Sequence, residues 1–292
     1  MFKFVPIFAA LVILTAGIEP AFAQSDAVKR GQYIFTASGC VGCHTDTKGK
    51  QPFLAGGHAL KTPFGTYYGP NITRDKTHGI GNWSDEDFIR ALREGKAPDG
   101  SHYFPVFPYT SFTKMTDQDM KDLKAYLFSV PPSDKPNIAH DIDFPFNIRL
   151  TMIGWKLLFF DEGVFTPDPD KDKTWNRGAY LAEAMVHCGE CHTPRNILGV
   201  TKSDMAYAGN KDGPKGDLAP NITPDEETGI GKWSHKAIVE VLQIGILPDG
   251  DFVGGTMAEV TENMGKLTEG DLKAIASYFK ALPAIRNKVT GK

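Results

Sequence analysis

The 292-residue sequence has only four cysteines and, beyond its first eighteen residues, no long apolar run. The longest later stretch, residues 150–160, is about half of the ~20 residues a bilayer span requires and is interrupted by Lys156. Positive charge is not in excess either. The net charge of −3 argues against a nucleic-acid partner, which calls for a basic face. There is no hydrolase-like order of Ser, His and Asp, no phosphate-binding loop and no dinucleotide fingerprint, so no catalytic constellation is visible. Low-complexity disorder is excluded by a composition that is 41% hydrophobic and 11% aromatic.

What is present begins at the amino terminus. Lys3 precedes an apolar stretch at 4–18, and Ala21-Phe22-Ala23 stands before Gln24. This pattern predicts a cleaved signal peptide over residues 1–23 and an exported mature chain, long enough for two compact domains.

All four cysteines fall in two identical patterns, Cys40-Val-Gly-Cys43-His44 and Cys188-Gly-Glu-Cys191-His192. Two disulfides, a zinc site or a redox dithiol would each account for paired cysteines. None of them requires histidine directly after the second cysteine, twice. C-x-x-C-H is the attachment pattern of a c-type haem: thiols three positions apart add to the two vinyl groups, and the chain turn delivers the histidine to one face of the iron. Two covalently attached c-type haems are therefore expected, bound by Cys40, Cys43 and His44 and by Cys188, Cys191 and His192.

The motifs head two copies of one unit. Residues 71–100 align without gaps on 221–250, with 14 identities in 30 positions, enough to fix the offset at 150. Both read N-I-T-x-D-x-x-x-G-I-G-x-W-S and end in P-D-G. Upstream, Arg30-Gly31-Gln32-Tyr33 matches Arg177-Gly178-Ala179-Tyr180.

The patterning predicts an all-α fold of two tandem domains, 24–130 and 175–292, each wrapped around one haem. In each copy a first helix (27–37, then 174–185) leads into the haem motif. A middle helix follows Ser84, with Asp87 at the capping-box position, and again follows Ser234. A last helix follows Thr116 and Thr268, with Asp119 and Asp271 completing capping-box-like pairs. Met115 with Met120, and Leu267 with Leu272, form staple pairs across those caps. Gly/Pro-rich loops at 62–68 and 210–218 are expected to wrap the haems. The segment 131–174, Pro-rich at its ends and aromatic in its middle, reads as a connector packed between the domains, too rich in aromatics for a flexible linker.

The face of the iron opposite histidine decides what each haem does, because methionine there raises the potential and favours electron transfer. In the second copy Met257, in a Gly-rich loop before the last helix, is the expected ligand, with Met264 the alternative. In the first copy the equivalent step from Gly100 lands on Phe107, which cannot ligate iron. Met115, His102 or no ligand at all remain open there. Trp83, Trp233, Asn71 and Asn221 are candidate donors to haem propionates. His187 and the other unrepeated histidines read as packing or surface residues.

These stretches, together with T-P-F-G-T-Y-Y (62–68), F-P-Y-T-S-F (107–112), W-N-R-G-A-Y-L (175–181) and H-C-G-E-C-H-T-P-R-N (187–196), resemble the dihaem and trihaem cytochrome c subunits of periplasmic dehydrogenases, such as that of alcohol dehydrogenase. The resemblance implies a periplasmic electron acceptor rather than an enzyme. Its donor would be a flavin- or quinoprotein dehydrogenase, and electrons would pass on to another cytochrome, a quinone pathway or an oxidase, with at most peripheral membrane contact. It also places Met257 at an expected ligand position, and marks Phe107 as a departure from the methionine many relatives carry. A third haem motif and a C-terminal anchor, present in trihaem members, are not in this sequence. A dihaem peroxidase-like enzyme with an open axial position at the first haem is the competing expectation.

Overall fold

The computed structural model describes residues 21–213 and 216–290. The expected signal peptide lies outside the described residues up to position 20, as do Pro214 and Lys215 of the second expected wrapping loop. The hydroxyls of Ser84, Thr116, Ser234 and Thr268 each accept a hydrogen bond from the backbone N–H three residues on, at 3.0–3.2 Å. Each satisfies a donor that a helix start would otherwise leave open, worth ~1 kcal/mol. The helices that follow are α3 (Asp85–Glu94), α5 (Asp117–Ser129), α9 (His235–Ile244) and α11 (Glu269–Lys280). At Ser84 the capping box is complete.

The first helix of each half crosses the last helix of the same half. Helix α1 (Ala21–Ala37) lies on α5, and α7 (Lys173–Tyr180), continued by a π-turn at Leu181–Met185, lies on α11. Glycine makes both crossings possible. A Cβ on Gly31 would stand 1.9 Å from the Asp122 carbonyl oxygen, and one on Gly178 would stand 2.0 Å from that of Ala274. Arg30 ties its crossing through Nε to Asp122 at 2.5 Å, and Arg177 ties the other to Asp271 at 2.8 Å. The R-G-x-Y repeat is thus the imprint of a helix crossing made twice. Leu123, Leu127, Met120 and Ile34 of the first half and Leu272, Ile275, Ala179 and Leu181 of the second belong to one continuous hydrophobic core.

The fold is mainly helical but not all-α. Residues 62–68, expected as a loop, form most of a hairpin: β1 (Ala59–Thr62) pairs antiparallel with β2 (Gly65–Tyr68), and β3 (Asp141–Ile142) from the connector adds to β2. Thr-Tyr-Tyr favours extended backbone, and Gly65, at φ +123°, lets the Asp141 carbonyl approach within 2.5 Å of where a Cβ would stand. Among the described residues, the counterpart loop in the second half joins no third strand and makes one isolated bridge, Asn210 with Ala219.

The connector is only partly packed. Its helix α6 (Thr151–Phe159) reaches both halves: Lys156 Nζ donates to the carbonyls of Glu94 and Gly95 at 2.6 and 2.7 Å, and Trp155 donates to that of Leu198 at 3.0 Å. Lys156 thereby satisfies C-terminal carbonyls of α3 with a positive charge, the sign the helix dipole prefers there. Instead of being enclosed between the halves, Phe144, Leu150, Leu157 and Leu158 are each more than 70% exposed. One face of the connector braces the halves and the other faces solvent.

Replacing Gly178 with Ala should force α7 off α11, because the obstacle is backbone and not a movable side chain. The expected loss is at least the ~1–3 kcal/mol of an overpacked core, read as a lower urea midpoint. Ala at Gly154, where a Cβ would meet nothing within 4 Å, should leave the midpoint unchanged or higher.

Candidate cofactor site

Each C-x-x-C-H motif sits on a short helix after a left-handed residue. Cys40–His44 (α2) follows Gly39 at φ +61°; Gly189–His192 (α8) follows Cys188, with His187 at φ +47°. None of the four cysteines forms a disulfide. Burial pushes the thiols of Cys40 and Cys188 up to about 12, so they are neutral at physiological pH.

The histidines are held alike. His44 Nδ1 lies 2.8 Å from the Pro70 carbonyl and His192 Nδ1 lies 2.8 Å from that of Pro220. A carbonyl only accepts, so Nδ1 carries the proton and the lone pair is on Nε2. This is the tautomer, and the hydrogen bond on the other ring nitrogen, that a metal-ligating imidazole needs. Burial lowers both pKa values and keeps the rings neutral. Paired thiols, a neutral histidine with Nε2 presented, and the same arrangement twice together fit a covalently held haem in each half. Cys40, Cys43 and Cys188, Cys191 would supply the thioethers, and His44 and His192 one axial ligand each.

The two motifs are close neighbours. Burial, then the charge of Glu190, pushes the Cys191 thiol up to about 11, and Cys43 of the other half adds to the shift. Glu190 accepts from Thr110 and Ser111 of the first half at 2.8 and 3.0 Å and pairs with Arg195. The His187 ring lies 5.5 Å from that of Phe112, with Nε2 3.3 Å from the Ser38 carbonyl. His187 is therefore an interface residue. Its left-handed backbone, uncommon for a non-glycine residue, matches Gly39 in the first half.

Above the motifs the halves exchange tyrosines. Tyr33 donates to Asp271 at 2.6 Å and accepts the Thr268 N–H at 3.1 Å. Tyr180 donates to Asp119 and accepts the Thr116 N–H at 3.0 Å. The capping-box-like pairs expected at Thr116 and Thr268 are thus half made. The threonine hydroxyl caps its helix, but the aspartate turns to the tyrosine of the other half, and that tyrosine takes the cap N–H. Nothing in the local sequence signals this, because the partners lie 61 and 238 residues away.

The remaining candidates fall in distinct places. Met257 is half-buried in the first turn of helix α10 (Gly255–Met264), not in a loop. Asp217 explains the difference: its carboxylate accepts from the N–H and hydroxyl of Thr256, both at 2.7 Å, and caps the helix from a distant segment. Met115 is fully buried in the core, and Arg93 donates to its carbonyl at 2.8 Å; Met264 is also core. His102 is half-buried, with Nδ1 unpartnered. Trp83 and Trp233 are partly buried against the core. Asn71 and Asn221 are engaged elsewhere. Their amide nitrogens donate to the carbonyls of Ser133 and Lys135 and of Ile285, tying down the chain after each last helix.

This arrangement of thiol pairs, neutral histidine and enclosing helices defines a c-type cytochrome. The cytochrome c family model matches residues 28–131. Over 264 residues the chain is 45% identical to a dihaem cytochrome c-type protein of Cereibacter sphaeroides, covering 88% of this chain and 86% of that one. It is 39% identical to the fructose dehydrogenase cytochrome subunit of Gluconobacter japonicus and 37% identical to the cytochrome c subunit of the quinone alcohol dehydrogenase of Gluconobacter oxydans. Those matches cover 91% and 95% of this chain but only 54% and 60% of the relatives, which are longer. The chain belongs to this family of cytochromes c related to dehydrogenase cytochrome subunits.

Tyr180→Phe should leave the partly buried Thr116 N–H that starts α5 without its acceptor and cost ~1 kcal/mol in urea unfolding. A pH dependence follows from Asp271. Burial alone would raise its pKa, but the bonds from Arg177 and Tyr33 outweigh burial and hold it below 3.8. Its contribution is therefore full above about pH 4 and lost as the pH falls through the folded value. Asp271→Asn should destabilise at pH 7 and flatten the stability profile at its acid end.

Proposed function

We propose that this chain is a periplasmic dihaem c-type cytochrome. It would accept electrons from a flavin- or quinoprotein dehydrogenase and deliver them toward the respiratory chain, through another cytochrome, a quinone pathway or an oxidase. In this reading two tandem class I cytochrome c-like domains, 24–130 and 175–292, each enclose one haem, and residues 131–174 join them after removal of the signal peptide 1–23. The observation that carries it is the C-x-x-C-H histidine fixed through Nδ1 to a proline carbonyl, made twice 148 residues apart in the sequence, at His44 and His192. The names of the relatives support the dehydrogenase as donor.

Haem iron, when bound, supplies reversible one-electron chemistry. The chain's own contribution is positional. Cys40, Cys43, Cys188 and Cys191 fix the group covalently; Pro70 and Pro220 orient the imidazoles; Met257 is the proposed second ligand in the second half. The interface around Glu190, His187 and Phe112 keeps the attachment motifs adjacent, so charge can cross between halves without motion of the backbone. No general acid, base or nucleophile is needed for such a transfer.

The test is a haem count and a redox titration on purified holoprotein. Two covalent haems per chain are expected, falling to one in a Cys188→Ala/Cys191→Ala variant, and each should cycle reversibly by one electron. Met257→Leu should abolish a thioether-to-iron absorption band and lower one potential while leaving the other in place. Reduction by a purified membrane dehydrogenase from the same source should be faster than by a soluble nicotinamide enzyme. A chain without covalent haem would sink the proposal.

A further inference from the structure

After its middle helix each half makes the same turn. The Ala97 N–H donates to the Ser101 carbonyl at 2.9 Å and the Tyr103 N–H to that of Gly95 at 2.8 Å. Their counterparts, Leu247 to Asp251 and Val253 to Gly245, measure 2.8 and 2.9 Å. The shared offset of 150 is thus fixed in three dimensions through Tyr103 and Val253. Four residues further on stand Phe107 and Met257.

Between that turn and the next matched bond the second half gains two residues, and the register resumes. The Met115 N–H donates to the Phe112 carbonyl at 2.9 Å, and the Leu267 N–H to that of Met264 at 2.9 Å. Met115 therefore matches Leu267, and Met264 matches Phe112. All four are buried in the core. Met115 and Met264 thus fill core positions that the other half fills with Leu267 and Phe112, and both are almost fully buried, as packing residues are. Arg93 also donates to the carbonyls of Thr113 and Met115, so the backbone there is held. His102 matches Phe252, which is 65% exposed, so that position faces solvent in the second half.

The segment carrying Phe107 is pinned along its length. Tyr109 is fully buried, with Lys156 Nζ 4.5 Å from its ring centre. Thr110 and Ser111 hold Glu190, and Phe112 packs on His187. The Phe107 ring rests against Tyr103 at 5.5 Å and Phe112 at 5.7 Å.

We propose that the haem held by Cys40, Cys43 and His44 has no protein ligand on the face opposite His44, and that Phe107 covers there a binding site for a small uncharged diatomic molecule such as carbon monoxide or nitric oxide. The proposal rests on the reading of Met257 as ligand in the second half. Burial keeps the phenols of Tyr103 and Tyr109 protonated, so neither ring supplies a phenolate beside the site. The expected chemistry is ligand binding.

The experiment is a carbon monoxide titration of the dithionite-reduced holoprotein, followed by visible absorbance, with ferric electron paramagnetic resonance alongside. One carbon monoxide per chain and one high-spin ferric haem are expected. Phe107→Met should abolish both and add a second thioether-to-iron band. Met115→Leu should change neither. No binding, with two low-spin haems, would overturn the proposal, as would a carbon monoxide site that appears only in Met115→Leu. Two molecules per chain, falling to one in Phe107→Met, would uphold this site and refute Met257 as ligand. Two that Phe107→Met leaves unchanged would overturn the site itself.

Discussion

A phenol from each half caps the last helix of the other, and the placement of both haem motifs depends on that exchange. Each tyrosine accepts the N–H that starts a helix and donates to the aspartate one turn later, so a single hydroxyl satisfies two groups that a helix start leaves costly. The two contacts are related as the two sides of a symmetric dimer interface are, the same patch meeting itself. Because α1 and α7 also lead directly into the C-x-x-C-H motifs, fixing the tyrosines fixes the motifs, and Cys43 comes to lie beside Cys191.

Much of this was legible in the sequence because it is local. The caps at Ser84, Thr116, Ser234 and Thr268 are three-residue signals, and all four hold. The cysteine–histidine motifs and the 150-residue offset are likewise matters of spacing, and the structure carries the offset into matched hydrogen bonds. The unread features are those whose causes lie far away. Asp217 turns the expected loop at Met257 into a helix from across the chain. The connector supplies β3 and so converts a wrapping loop into a hairpin. Glu190, inside the second motif, gives one local hint: a carboxylate between two partly buried cysteines is out of place unless something pairs it, and Arg195 with Thr110 and Ser111 do.

Matched hydrogen bonds in the two halves leave packing and chemistry free to differ separately. The helix crossings at Gly31 and Gly178 tolerate no side chain, since the neighbour is a carbonyl oxygen of the backbone. The aligned positions of Phe107 and Met257 carry no such backbone constraint, so the two halves hold different residues there. The asparagines of the N-I-T segments belong to the constrained class: each is spent holding the chain that follows the last helix, and their repetition reflects architecture.

The connector has a consequence for how weak that interface can afford to be. Hydroxyl–carboxylate bonds and a few ring contacts would hold two separate chains poorly, since each such bond nets only ~1 kcal/mol against water. Tethering by residues 131–174, braced at Lys156 and Trp155, turns encounter into an intramolecular event at an effective concentration of order millimolar or above. An interface that leans in part on such bonds stays closed in a single chain, and it does so at any protein concentration.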